Sequence, residues 1–424
     1  MKNIGLSLLL IALYWPAFTQ IDKITLEACY RLAQAKSTIH QEQGLQDQRL
    51  SVSLDQIEKD RLPSLNWASK AGFQSETIQL PFTSPGLDFE LPLYSFQTFA
   101  EVKWLIYDGG LSSARSKVEQ QNNLTAKQSM EAELYAIRDE VNRYAMGILL
   151  SRSQKEVQEQ HLERLQTKLD LMEAGIQQGV VLPLSRDQIQ LEMLRIQLSI
   201  AEQETNAQGF IAQLSDLIGQ ALSDSVEIEW PLLIQAFPSE LDLQRPELQL
   251  FDAQKAQILA NEALIEVAKK PKLSFYGQAG LGYPNPLNFF DDEISPFGVL
   301  SLKLDWPITD WKKSDRDRQL LSIQTQIVDT KKQQFEERIL RAERYYQEQI
   351  AGLITRLNQD REIIRLQERI VAQFASQLEE GVLLPSDYLE QEQLLAQSQL
   401  NWSIHELQLK KLRLDYLHLM GAKD

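Results

Sequence analysis

Two segments of the chain alternate apolar and polar side chains with a period of two. Residues 96–106 place apolar or small side chains at the even positions, and residues 298–308 follow the same rhythm. This period is typical of a strand with one apolar and one polar face. Residues 65–73 and 273–283 show a weaker alternation and are predicted to be partner strands. The sequence therefore predicts two pairs of strands.

Each predicted strand pair is followed by a long segment with the period of a helix. Residues 111–174 contain no proline, and their apolar residues recur at three- and four-residue steps, as they also do in residues 315–380. A helix of some 65 residues is roughly 100 Å long, which is far beyond a typical globular helix. A Gly/Pro turn ends each long segment, and second helices are predicted at 186–219 and 387–419. Each half of the chain thus contains a long helical hairpin.

Short motifs recur at a shift of 202 residues, which indicates a duplicated unit. The recurring pairs are Trp104 and Asp108 with Trp306 and Asp310, and Gly179 and Pro183 with Gly381 and Pro385. We therefore expect a first structural repeat at 21–222, a linker at 223–245 and a second repeat at 246–424. Each repeat holds two strands and a helical hairpin, and the first also has an initial helix.

The predicted strands, at roughly ten residues each, match the length that a tilted membrane-spanning strand needs. A soluble sheet packed on helices would show the same alternation. Four strands cannot close a barrel, and an open sheet edge is not tolerated in lipid. Strands in a membrane would therefore have to be pooled by several chains, and three chains would supply twelve.

Composition excludes some classes of function. The formal charge is −16, which argues against a nucleic-acid partner because phosphates require clustered basic residues. Cys29 is the single cysteine, so no intramolecular disulfide framework is expected. The histidines share no metal-ligand spacing, and we expect neither a metal site nor a cofactor. They are His40, His161, His405 and His418.

The first 20 residues have the pattern of a secretory signal peptide. Lys2 supplies the positive start, an apolar run follows at 4–13, and Ala17 precedes a predicted cleavage near Gln20. A transmembrane anchor or a buried helix is the alternative, although the apolar run is short for a span. We expect the mature protein to be exported.

The duplicated order of strand pair, long helix and hairpin resembles the TolC family of outer-membrane efflux proteins. The resemblance also rests on Trp-x-x-x-Asp at each strand-to-helix passage and on Gly-x-x-x-Pro at each hairpin tip. Arg245-Pro246-Glu247-Leu248, at the start of the second half, is similar to a common family feature. The resemblance to the family covers nearly the whole mature chain.

The resemblance implies a mainly α chain with transmembrane β structure. Three copies would form a helical barrel from their long hairpins and a twelve-stranded β-barrel from four strands each. Such a homotrimer is embedded in the lipid of the outer membrane and extends into the periplasm. It receives substrate from an inner-membrane transporter through a periplasmic adaptor (membrane fusion) protein, and performs no chemistry. An acidic duct would also favour cations.

The family narrows its periplasmic end with a ring of acidic side chains. The matching positions are Asp387 and Glu390, six and nine residues after the hairpin glycine. Residues three apart lie on one helix face, so both carboxylates could face a lumen. Alternatively, Ser386 or Asp387 caps the second hairpin helix, with acids favoured by the helix dipole. The two roles are compatible.

The chain departs from the family at this end. Leu383 stands where a basic residue helps to lock the closed state, and the first repeat has Ser185 and Gln188 in place of the two acids. Apolar packing at the tips is therefore expected to hold the gate, and the same residues are candidate adaptor contacts. The alternative is simple burial that stabilises the turns. The tip residues are Gly179, Val180, Val181, Leu182, Pro183, Gly381, Val382, Leu383, Leu384 and Pro385.

Two other functional classes compete with a duct. A periplasmic coiled-coil scaffold or adaptor would explain the long helices but not the duplicated strands with aromatic ends. An enzyme is disfavoured because no nucleophile elbow or phosphate loop is present. Asp108 and Asp310 could be read as a catalytic pair, but their position before long helices favours helix capping.

Overall fold

The computed structural model describes residues 21–76, 92–179, 182–231, 242–288, 291, 293–380 and 382–422. The predicted signal peptide lies outside these residues. The chain begins with β1 (Ile21–Thr25), α1 (Leu26–Lys36) and α2 (Ile39–Lys59). The first strand pair follows as β2 (Ser64–Phe73) and β3 (Tyr94–Tyr107).

The first hairpin consists of α3 (Leu111–Gln177) and α4 (Pro183–Ile218), after which β4 (Leu222–Glu229) follows. The second half begins with α5 (Pro246–Ala260) and α6 (Glu262–Ala268). It continues with β5 (Lys272–Tyr283), β6 (Ser295–Asp305), α7 (Lys313–Glu379) and α8 (Pro385–Met420). Both long helices have 67 residues and both second helices have 36. Their bounds differ by 202 residues, which confirms the duplicated helical hairpins.

The four predicted strands form one antiparallel sheet in the order β2-β3-β5-β6. The sequence predicted a strand at 298–308, and the corresponding strand in the structure is β6, Ser295–Asp305. The residue at 307 is a proline, which has no N–H to donate to a neighbouring strand and so disfavours a longer strand. The equivalent strand β3 has no proline and continues to Tyr107.

A second sheet was missed by the sequence analysis. β4 begins at Leu222, the last residue of the predicted first repeat, and continues into the segment that was assigned as a linker. It pairs in parallel with β1. Because the two strands are short and far apart in the sequence, neither shows a pattern that would reveal its partner. Residues 232–241, in the rest of the predicted linker, lie outside the described part of the chain.

The chain divides into two compact units, and both sequence repeats contribute to each of them. One unit comprises the described residues of Met1–His40, Ala132–Pro246 and Glu336–Asp424. The other comprises those of Gln41–Glu131 and Glu247–Phe335, including the four-stranded sheet.

The first unit contains two apolar clusters. One surrounds β1 and β4 and includes Leu26, Ile148 and Leu214, all nearly inaccessible to solvent. The other joins the four hairpin helices through residues such as Leu165 and Ile189. Burying one such side chain contributes roughly 1.5–3 kcal/mol, so these clusters provide much of the cohesion of the hairpins.

In the second unit, each long helix is joined to a shorter one. Lys127 of α3 forms an ion pair with Asp47 of α2 at 2.7 Å. Lys332 of α7 likewise pairs with Asp252 of α5 at 2.8 Å. The two halves of the chain therefore repeat the same pairing of a long helix with a shorter one. No helix in the described ranges combines the length and apolar character that crossing a membrane requires.

Candidate functional site

One face of the four-stranded sheet carries no charged side chain. The strand register places Trp67, Ala100 and Ala279 on the same side, together with the apolar residues that alternate along each strand. Leu300 and Trp67 on this side are 78% and 71% exposed. We call this side the uncharged face. Large apolar side chains that are exposed together mark a surface that contacts something other than water.

The opposite face holds every charge of these four strands, and we call it the charged face. Its charged residues are Lys70, Glu101, Lys103, Lys272, Lys303 and Asp305. The separation confirms that the predicted period of two reflects one polar and one apolar side. Such strands suit a sheet that has water on one side and an apolar medium on the other.

Aromatic residues lie near the strand ends, as the sequence suggested. Tyr94 and Tyr283 stack with ring centroids 5.4 Å apart at the end of the sheet where the loops begin. At the other end, Trp104 Nε1 donates a hydrogen bond to the carbonyl oxygen of Arg61 at 3.0 Å. An amphipathic ring at each end is the arrangement expected near membrane interfaces.

Asp108 and Asp310 occupy equivalent places between a strand and a long helix. Asp108 Oδ2 accepts hydrogen bonds from the Ser112 amide at 2.7 Å and the Ser112 hydroxyl at 2.6 Å. Asp310 Oδ2 accepts from the amide and hydroxyl of Ser314, at 3.3 and 2.5 Å. Bonds to the first amides of a helix satisfy donors that the helix itself leaves unpaired.

These contacts lower the pKa of both carboxyl groups. Burial alone would raise the pKa of Asp108, but the hydrogen bonds from Ser112 and Gly110 outweigh it and the pKa is about 2. The hydroxyl of Ser314 is the main cause of a pKa of about 2 at Asp310. Both groups are therefore ionised at neutral pH, and each is engaged in its local turn.

The two turns use different residues for the same backbone. Gly109 and Gly110 have φ angles of 71° and 94°, and Trp311 and Lys312 at the equivalent positions have 49° and 59°. A Cβ at Gly109 would lie 3.0 Å from Cβ of Lys270, so the first copy requires glycine. Trp311 is 85% exposed, and the second copy has room for a side chain.

The hairpin tips present apolar side chains. Leu182, Val382 and Leu384 are exposed, whereas Leu383 packs against the apolar cluster of the hairpin helices. Val180, Val181 and Gly381 lie outside the described residues. Pro183 and Pro385 occupy the first turns of their helices, where proline is favoured. Gly179 has a φ of 78°.

Asp387 and Glu390 lie in the first two turns of α8. The cap residue of this helix is Leu384, without a side-chain hydrogen bond, so the expectation that Ser386 or Asp387 is the cap was wrong. Pro385 directly after Leu384 starts the helix one residue before Ser386. Asp387 is in the first turn, where the helix dipole makes a negative charge stabilising. Neither carboxylate has an ion-pair partner among the described residues.

Sequence analysis missed a buried charged cluster between α3 and α8. The carboxylate of Glu392 is almost inaccessible and accepts hydrogen bonds from Arg164 Nε at 3.1 Å and from Tyr388 Oη at 2.6 Å. Burial, and then Glu392, raise the pKa of Tyr388. The position of Glu392, between the apolar residues Tyr388 and Leu395, is the signal that could have revealed this cluster, because such a stripe is normally apolar.

The Arg-Pro-Glu-Leu segment has a structural partner at the end of α8. Arg245 donates a hydrogen bond to the carbonyl oxygen of His418 at 3.1 Å, and its guanidinium lies 4.7 Å from the ring of Tyr135. Tyr135 stacks on His418 with centroids 4.4 Å apart. The hydrogen bond from His418 lowers the pKa of Asp139. These contacts hold α3, α8 and the start of the second half together.

Comparison with known proteins extends these observations. Residues 32–220 match the model of the outer membrane efflux protein family. The pyoverdine export outer membrane protein OpmQ of Pseudomonas putida is 27% identical over 207 residues. That alignment covers 47% of this chain and 43% of OpmQ, so less than half of the relative is matched.

The fold is that of outer-membrane channels of known structure. CusC matches with a TM-score of 0.63 and 16% identity over 99% of this chain and 95% of its own. VceC of Vibrio cholerae matches at 0.62 and 14%, over 93% and 96% of the two chains. The open-state channel MtrE of Neisseria gonorrhoeae matches at 0.63 and 12%, over 93% and 88%. Residues 32–220 are thus similar in sequence to the outer membrane efflux protein family, and the chain has the fold of outer-membrane channels.

Proposed function

We propose that three copies of the chain form an exit duct in the outer membrane. The observation that carries this proposal is the division of one sheet into an uncharged and a charged face, directly followed by helices of 67 residues. In a barrel, the uncharged face would contact lipid and the charged face would line water. The long helices, at roughly 100 Å, would reach deep into the periplasm.

The number of copies follows from the sheet. β2 and β6 are its edges, and in lipid each edge strand must pair with another strand. Two copies would supply eight strands, which leave an interior filled by side chains. Three copies supply twelve and leave an aqueous lumen. A homotrimer is therefore the smallest assembly that would conduct.

The hairpin tips are the proposed docking and gating end. The exposed side chains of Leu182, Val382 and Leu384 offer an apolar contact for a periplasmic adaptor, which would connect the duct to an inner-membrane transporter. Asp387 and Glu390 would contribute two carboxylates from each copy to a narrow acidic ring. Transport through the duct would be passive, because the inner-membrane transporter supplies the energy.

Planar-bilayer conductance of the purified protein tests the duct and the ring together. Wild type is expected to form channels of trimer size, and the double change Asp387→Asn/Glu390→Gln is expected to reduce their preference for cations. The matched control is Asp22→Asn/Glu27→Gln, which removes the same two charge types from exposed positions on β1 and α1.

The outcomes separate the two parts of this proposal. Channels whose selectivity is the same in both double variants would retain the duct and exclude the acidic ring. A protein that stays soluble without detergent and never conducts would exclude the duct and favour a periplasmic scaffold.

A further inference from the structure

The charged face has the opposite charge sign from the chain as a whole. The sequence has 43 basic and 59 acidic residues. On the charged face, by contrast, four lysines accompany the two carboxylates of Glu101 and Asp305. The overall acidity therefore does not describe the strand-lined part of the proposed duct.

Most of these lysines lie at the helix-proximal end of the sheet. The register pairs Ser64 with Lys103, Ser274 with Lys303, and Lys272 with Asp305. These positions are the start of β2 and β5 and the end of β3 and β6, so they lie together at one end. The fourth lysine, Lys70, lies further along β2, where its ammonium is 5.3 Å from the centre of the Phe99 ring.

The carboxylates at this end are already engaged. Glu101 forms an ion pair with Lys103, and the hydroxyl of Tyr276 also donates to it at 3.1 Å. Asp305 pairs with Lys303 at 2.9 Å. The side chains of Lys103 and Lys303 nevertheless remain 59% and 72% exposed, so each ammonium has donors to spare for another anion.

A cleft of about 660 Å³ lies at this end of the sheet. Three lysines line it, Lys59, Lys103 and Lys303, and Asp60 is the single acidic residue among its lining residues. We call it the lysine cleft. Lys59 also pairs with Asp55 at 2.6 Å, and its side chain remains 66% exposed.

Four hydroxyl groups also belong to the wall of the lysine cleft, those of Ser64, Ser274, Tyr276 and Ser301. The hydroxyl of Tyr276 already donates to Glu101 and that of Ser64 to the carbonyl oxygen of Lys103, so Ser274 and Ser301 supply the further donors.

We propose that the lysine cleft binds organic anions that carry carboxylate groups and that pass through the duct. Ammonium and hydroxyl groups both donate to carboxylate oxygens, and hydrogen bonds between charged groups are shorter and stronger than neutral ones. The cleft volume is within the range of small-molecule sites. This inference rests on the proposed duct and specifies the substrate class that its strand-lined part favours.

Block of channel conductance by citrate tests the inference, because citrate carries several carboxylates. The recording uses neutral phosphatidylcholine bilayers at low ionic strength, where charge interactions are least screened. We expect citrate to reduce the wild-type conductance, and Lys103→Gln/Lys303→Gln to require about fivefold more citrate for the same block. Lys103→Arg/Lys303→Arg keeps both charges and is expected to retain the block.

Lys23→Gln/Lys410→Gln is the matched control, because it removes two lysines outside the four-stranded sheet, on β1 and α8, and is expected to leave the block unchanged. Lys59→Gln, on α2 outside the strands, serves as a second test if the double change prevents barrel formation. It is expected to weaken the block in the same direction.

The failures of the duct and of the lysine cleft are distinguishable. Wild type without channels would overturn the proposed function. Channels that citrate blocks equally in wild type and in the Lys103→Gln/Lys303→Gln variant would overturn the anion site alone. A difference between these two that appears only when phosphatidylglycerol is added would assign the cleft to lipid headgroups and would also overturn the inference.

Discussion

Arg164 on α3 and Glu392 on α8 form an ion pair at 3.1 Å, and the residue Glu392 is only 2% exposed. The two residues come from different helical hairpins, so this contact links the first sequence repeat to the second. A buried carboxylate is tolerated only with partners, and here the partners are Arg164 and the hydroxyl of Tyr388.

Removal of Arg164 should be more damaging than removal of an exposed ion-pair partner. Arg164→Ala leaves the Glu392 carboxylate buried without its cation, and we expect the free energy of unfolding to fall by about 3 kcal/mol. Arg365→Ala breaks the exposed pair with Glu362 and should cost less than about 1 kcal/mol. Denaturant unfolding followed by far-UV circular dichroism measures both changes. Equal losses would show that the Glu392 cluster is not stabilising.

Asp108 should make stability depend on acidity. Its pKa is about 2 in the folded chain, below the ordinary 3.8, so its contribution is complete above the ordinary pKa and declines as the pH falls towards 2. Asp108→Ala is expected to cost about 1 kcal/mol at neutral pH, and this cost should shrink in acid. Thermal unfolding of both proteins across that pH range measures the difference.

The control for this prediction is Asp170→Ala at an exposed position within α3, which should change stability by less than about 0.5 kcal/mol. A cost of Asp108→Ala that stays constant down to pH 2 would exclude the role of the ionised carboxylate.

The two equivalent turns should respond differently to substitution. Gly109→Ala places a Cβ on a left-handed backbone and against Lys270, and should cost about 1–2 kcal/mol or more. Trp311→Gly removes a side chain from the same backbone region and should be neutral or stabilising by up to about 1 kcal/mol. Thermal midpoints of the two variants provide the comparison, and a stabilising Gly109→Ala would contradict the argument.

Two glycines of the sheet should also differ. A Cβ at Gly280 would collide with the carbonyl oxygen of Thr98 and with Phe99 on the adjacent strand, whereas a Cβ at Gly298 would lie 3.8 Å from the nearest atom. Gly280→Ala should therefore cost about 2 kcal/mol and Gly298→Ala much less, because only the first requires the strands to move apart. The thermal stability of the detergent-solubilised protein reports the outcome. Equal stability of both variants would refute the close approach of β3 and β5.

The strands and long helices could be predicted because each has a local signal. An alternation of two along 96–106 and a helical period along 111–174 need no knowledge of the partner element. The copy of each motif 202 residues later then supported the assignment. The end of β6 was harder to predict from the sequence, because the effect of Pro307 on a strand depends on which side the neighbouring strand lies.

Long-range contacts left no comparable signal. The pairing of β1 with β4 and the contact of Arg164 with Glu392 join residues about 200 positions apart, and no periodicity along the chain specifies the partner. The place of Arg245 against Tyr135 and His418 is of the same kind.

By itself, the sequence determined the duplicated helical hairpins, the strands, and the acidic residues near the second tip. These features follow from the local hydrophobic period and from residues such as Pro183 and Pro385, whose effect on the backbone is intrinsic. Only the tertiary structure decided the strand order and which lysines share one end of the sheet. It also determined which residues balance the buried charge of Glu392. Only strand register and helix packing bring together residues that lie far apart in the sequence.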